Sequence, residues 1–188
     1  AEGDSEKYKS DEMQTLRNLA DLHAATNRQT DAEREYGEVL ALYRGLAKMS
    51  PEKYEAEVAA TLNCLGVLHA DMNRYGEAEH EYDQALAICR GLMDVCAEKY
   101  EADMAKVLNN LAALHAETSH DDMAAQEFEK AVKIYRRLTN LCPDKYGSYA
   151  EGVQNNFVKL RLGVVCDDER NQNHDLVGQK MSFVVWRR

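Results

Sequence analysis

The sequence predicts an all-α fold, a solenoid of antiparallel helix pairs, and three observations carry that prediction. The tripeptide Glu6-Lys7-Tyr8 returns as Glu52-Lys53-Tyr54, Glu98-Lys99-Tyr100 and Asp144-Lys145-Tyr146, each time after 46 residues. Residues 54–99 and 100–145 share 18 identities in 46 positions without a gap, a register that unrelated helices would not hold. Self-similarity at a fixed period of this size marks a repeat architecture. Apolar residues recur at helical spacing inside each unit. Over the first 160 residues β-branched side chains are sparse and no period-2 run occurs, so no strand is expected there.

Each element follows from local chemistry. Leu62, Leu65, Leu68 and His69 fall at i, i+3, i+6 and i+7, one stripe of a first helix. Ala78, Tyr82, Ala85, Ile88 and Leu92 make the stripe of a second. The short polar Met72-Asn73-Arg74 between them leaves room only for a tight reversal, so the two helices must be antiparallel. Units join at Ser50-Pro51-Glu52 and Cys142-Pro143-Asp144. Proline disfavours helix at the residue before it and suits the first turn of the helix that follows. The predicted repeats are about 8–53, 54–99 and 100–145, with a terminal helix over 146–163, giving a repeat domain of 1–163. After Gly163 the register fails, and 164–188 is a tail with a polar linker and one strand-like run, Met181 to Trp186, expected to be disordered or loosely docked.

In the second unit Leu65-Gly66-x-x-His69 precedes Ala78-x-x-x-Tyr82. The other copies read Leu19-Ala20-x-x-His23 with Ala32-x-x-x-Tyr36, and Leu111-Ala112-x-x-His115 with Ala124-x-x-x-Phe128. This resembles the tetratricopeptide repeat (TPR), in which small and large residues alternate so that paired helices interlock. Leu16, Leu62 and Leu108 replace the family's usual tryptophan, and the period exceeds the usual length of about 34. Longer helices and the string Leu108-Asn109-Asn110-Leu111-Ala112 resemble the variant found in kinesin light chains and many bacterial repeat proteins. The resemblance spans about residues 8–163 and implies a right-handed TPR-like α-solenoid with a concave, partner-binding face.

Composition excludes several functions. The net charge is −10, and residues 54–99 alone carry −6, so a phosphate backbone or an anionic membrane would be repelled. No stretch approaches the roughly 20 apolar residues a spanning helix needs, and no secretory leader is visible. The chain opens on Ala1 rather than Met, as a fragment or a processed product would. Five cysteines, an odd number without a CxxC pair, are expected as free thiols in a reducing compartment such as the cytoplasm. His23, His69 and His115 recur one repeat apart, about 8–10 Å or more between packed helices. That is too far to share a metal bound at about 2 Å, and packing in the family's tyrosine slot is expected instead. Tyr8, Tyr54, Tyr100 and Tyr146 are expected to pack on the preceding repeat. Glu33, Glu35, Glu77, Glu79 and Glu81 read as a solvated face. No nucleophile stands near a base at a recognisable spacing, so neither an enzyme nor a cofactor site is expected.

Asparagine is a poor helix former and needs a reason to sit inside a helix. Asn63, Asn109 and Asn155 are related by the 46-residue step, as are Asn18, Asn110 and Asn156, with Cys64 interrupting the second series. In the kinesin-light-chain-like variant, which this resembles, such asparagines hold the backbone of an extended peptide. A carboxamide both donates and accepts, so it can grip a main chain without selecting a side chain. Bonding between repeats is the other use open to them. The expected peptide-binding residues are thus Asn18, Asn63, Val67, Asn109, Asn110, Asn155 and Asn156, and the expected partner is a protein or peptide. The lysines and arginines of the carboxylate clamp in chaperone-binding relatives are not gathered here. The alternative is a structural module forming a weak homo-oligomer through Phe157, Val158, Leu160 and Leu162 of the last helix, or the regulatory arm of a larger protein.

Overall fold

Backbone punctuation at 46-residue intervals shapes the chain. In the computed structural model, which describes residues 2–170 and the side chains of 12–162, Ser50, Cys96 and Cys142 all leave the helical region. Their φ/ψ values are −144/76°, −154/87° and −147/83°. Asn27, Asn73 and Ser119, equally spaced, are left-handed with φ of 61°, 59° and 62°. At each of the latter the next amide folds back onto the histidine five residues before it. Arg28 N donates to His23 O at 2.8 Å, Arg74 N to His69 O at 2.8 Å, and His120 N to His115 O at 2.7 Å. These bonds satisfy carbonyls that a helix end would otherwise leave orphaned.

Six helices result: α1 (Glu2–Ala25), α2 (Gln29–Ala47), α3 (Pro51–Asp71), α4 (Tyr75–Glu117), α5 (Asp121–Leu141) and α6 (Pro143–Arg170). The break at Cys96 divides α4 into the second helix of one repeat and the first helix of the next. No strand occurs among the described residues. Helix α6 continues to Arg170, past the expected end at 163. Met181 to Trp186 lies outside the described residues.

The chain forms two compact units, one of residues up to Cys96 and one from Ala97 on. In the first, α2 packs on both α1 and α3. The aromatic of each second helix, Tyr36 and Tyr82, is fully buried, which stabilises by about 1.5–3 kcal/mol per ring. Tyr82 lies so close to α3 that a Cβ on Gly66 would stand 2.6 Å from its Cε1, so only glycine fits that approach undisturbed. In the second unit α5 packs on α6, with Phe128 fully buried and its ring 6.4 Å from that of Phe157. Tyr135 stacks on Tyr149 at 5.8 Å. Tyr54 and Tyr100 are buried with Tyr146 half-buried, and the lysine before each rides over the ring at 4.8–4.9 Å. Tyr54 meets Tyr43 of the preceding repeat at 6.4 Å. Cys64 and Cys89 are buried free thiols, and Cys96 and Cys142 are exposed ones.

The terminal helix is better covered than the sequence suggested. Leu160 is buried and Phe157 half-buried, because Phe128 packs on the Phe157 ring and the Arg161 guanidinium covers it at 4.5 Å. Only Val158 and Leu162 of the four residues stand exposed.

Candidate functional site: the first-helix asparagines and the histidine–glutamate pairs

The asparagine series separates into buried and exposed members. In the second unit, Asn156 of α6 donates through Nδ2 to Oδ1 of Asn109 in α4 at 2.9 Å, and Asn109 Nδ2 donates to Asn110 Oδ1 at 3.2 Å. These side chains are at most 1% exposed. Three carboxamides on two first helices thus form a directional relay, each orientation fixed by the next. Asn155 is exposed and borders an open hollow of about 450 Å³ with Val132, Arg136, Ala150, Glu151 and Gln154. In the first unit Asn63 and Val67 are buried in α3, while exposed Asn18 accepts from Gln14 Nε2 at 3.1 Å. The structure therefore brings Asn109, Asn110 and Asn156 together. Asn18 and Asn155 stay on the surface.

Beside the asparagines stands a second series, and here the sequence misled. His23 Nδ1 lies 2.8 Å from Glu35 Oε2, His69 Nδ1 2.8 Å from Glu81 Oε2, and His115 Nδ1 2.8 Å from Glu127 Oε2. All three histidines are buried. A carboxylate only accepts, so in each pair Nδ1 carries the proton. Glu35 is 2% exposed and Glu81 half-buried, so these two do not belong to a solvated face. Glu77 and Glu79 are exposed as expected. The overlooked signal was a constant twelve-residue offset from histidine to glutamate in all three repeats.

His69 differs from its counterparts. Its Nε2 lies 3.2 Å from Glu33 Oε1 of the preceding repeat, and Arg74 Nη1 donates to the same oxygen at 2.7 Å. Burial disfavours charge on His69, but the hydrogen bond and charge of Glu81, joined by Glu33, outweigh it and raise the imidazole above its usual pKa. Glu33 is pushed upward by desolvation, and more strongly downward by Arg74 and then His69, so its carboxyl titrates below the ordinary value. Carboxylates at both ring nitrogens favour the imidazolium form of His69, in which both nitrogens donate. Among the described residues no three His, Cys, Asp or Glu side chains gather as metal ligands, and no helix is long and apolar enough to cross a membrane.

Comparison with known proteins agrees with the repeat geometry. Two tetratricopeptide-repeat models match, one over residues 57–137 and one over 13–47, together more than half of the chain. The chain belongs to the tetratricopeptide-repeat family. Its TPR fold is similar to the crystal structure of BtubC (BKLC) from P. vanneervenii, with a TM-score of 0.54 over 92% of this chain and 70% of that one, at 18% identity. That likeness is one of fold. A comparison with curated proteins gave no match. TPR arrays mediate protein–protein interactions, and the paired helices and the alternation of Ala32/Tyr36, Ala78/Tyr82 and Ala124/Phe128 are TPR features of this chain.

Proposed function

We propose that this TPR array is a non-enzymatic scaffold whose first helices hold an extended segment of a protein partner through asparagine carboxamides. The observation behind the proposal is exposed Asn155, which borders an open hollow of about 450 Å³ next to Asn156, whose own carboxamide is bonded inward to Asn109. A neutral carboxamide, which both donates and accepts, suits the alternating N–H and C=O of an extended main chain. Asn18, Asn63, Val67 and Asn155 extend the same set. The partner is basic or neutral, given the acidic surface, and nucleic acid and membranes are excluded as ligands on the same ground. The four free thiols among the described residues support a reducing compartment such as the cytoplasm.

The test is capture of partners by wild-type chain and by a variant with Asn63, Asn109, Asn110 and Asn155 changed to alanine, read by mass spectrometry. Because three of these side chains are buried, the variant's helicity and unfolding midpoint are measured alongside. Partners lost from a folded variant support the reading. An unchanged partner list removes the asparagines from the interface. Exposed Val158 and Leu162 on α6 support a second reading, self-association. It predicts a mass that rises with concentration and returns to the monomer on changing both to glutamate.

A further inference from the structure

The first and last helices expose positions that the interior repeats bury. In the second unit, successive first helices meet at a fixed offset: Asn109 of α4 accepts from Asn156 of α6, 47 residues on, at 2.9 Å. The first unit keeps that offset, with Arg17 of α1 in electrostatic contact with Cys64 of α3. Asn155 is the counterpart of Asn109 one repeat later. Carried one step further, the offset sets opposite Asn155 a residue equivalent to Asn156 on a following first helix. Asn18 of α1 is such a residue, three 46-residue steps before Asn156.

Both edges lack what the interior has. Asn109 is fully buried, whereas Asn155 is exposed and makes no side-chain hydrogen bond among the described residues. Asn18 is exposed as well. Its Oδ1 accepts from Gln14, which leaves Nδ2 to donate as Nδ2 of Asn156 does. Leu19 and Leu22 on the same helix are 39% and 55% exposed, while their counterparts Leu65, Leu68, Leu111 and Leu114 are at most 5%. Those four lie on helices with a repeat before them, and among the described helices none precedes α1. At the other edge Val158 and Leu162 stand exposed on α6, the helix that walls the hollow over Val132 and Ala150.

We infer that the α5–α6 edge of one copy receives α1 of a second copy, so that chains associate head to tail. The inference rests on the self-association reading and names the surface that meets α6. Asn18 Nδ2 of the incoming copy donates to Asn155 Oδ1, continuing the bond that joins Asn156 to Asn109. One turn back on each helix, Gln14 comes opposite Glu151. Leu19 and Leu22 leave water against the apolar edge, which supplies the driving force. The two patches differ, so the contact does not close on itself and association runs past the dimer. Asn155 is also the residue offered to an extended partner segment, and a second copy competes with such a segment for it.

Sedimentation equilibrium of the chain alone tests this, under reducing conditions and from micromolar to millimolar concentration. The mean mass should rise past twice the monomer without a plateau. Leu22→Glu blocks only the α1 edge and Asn155→Glu only the α6 edge. Both positions are exposed, so both variants should fold, which circular dichroism checks. Each variant alone should stay monomeric. Their equal mixture should form a dimer and nothing larger, because one intact edge of each remains. Asn155→Ala should weaken association about fivefold, the worth of one neutral hydrogen bond. A wild-type chain that stays monomeric overturns the inference and leaves the extended-segment reading to its own test, which needs no second copy. A mass that stops at the dimer and survives Leu22→Glu overturns it in favour of a symmetric contact through α6. A mixture of the two folded variants that stays monomeric overturns it as well.

Discussion

His69 shows how one residue adds a second carboxylate to a repeated histidine–glutamate pair. His23 meets Glu35, and His115 meets Glu127; His69 meets Glu81 and, through its other nitrogen, Glu33. Its pKa is raised in the folded chain. The stabilisation is thus fully present below the unfolded histidine value of about 6.5 and is lost as pH rises through the folded value. Glu33, whose pKa is lowered, contributes above its ordinary range near 4.5 and loses that contribution as pH falls through its folded value. Stability of the first unit should therefore peak at mildly acid pH and decline on the alkaline side, by something on the order of 1–2 kcal/mol. Urea midpoints from about pH 5, just above the ordinary carboxylate value, to about pH 9, well above the ordinary histidine value, measure this. His69→Gln should flatten the alkaline limb, whereas an unchanged limb would show that other groups carry it. The sequence displayed the histidines but not their charge state. Runs such as Glu77-Ala78-Glu79-His80-Glu81 read as solvent-facing acid, and only packing shows which acid turns inward.

At the scale of the element, the repeat was legible because its punctuation is covalent chemistry. Pro51 and Pro143 mark two of the three junctions, and the extended conformations of Ser50, Cys96 and Cys142 mark all of them. Ala97 occupies the position of those prolines without being one. Proline there restricts the unfolded chain and fits a first helical turn, so Ala97→Pro should stabilise by about 0.4–1 kcal/mol. A lowered thermal midpoint would mean that the third junction needs its backbone N–H. The asparagines were less legible, since neighbours on a helix point about 100° apart. Asn155 and Asn156 are adjacent in sequence, yet one is exposed and the other bonds Asn109 in the interior. A double-mutant cycle on Asn109→Ala and Asn156→Ala should give a coupling of about 0.5–3 kcal/mol, as expected for side chains in direct contact. Additive single effects would show that the 2.9 Å bond contributes little.

At the scale of the whole molecule, the charge acts on encounter and the carboxamides act on residence. A net charge of −10 draws a basic partner in over a distance comparable with the Debye length, about 10 Å at 0.1 M salt. Exposed acids such as Glu38, Glu77, Glu79 and Asp83 lie along the second helices, while the asparagines lie on the first. Charge outside a contact governs association, whereas bonds broken on separation govern dissociation. A neutral asparagine grip therefore makes a divided prediction. For a partner captured by wild type and lost from the asparagine variant, raising salt from about 0.05 M to about 0.5 M should slow association roughly tenfold. The same change should leave dissociation nearly constant. Biosensor traces at several salt concentrations separate the two rates. Dissociation that quickens with salt would place charge pairs inside the contact and move the interface from the first helices to the acidic second ones.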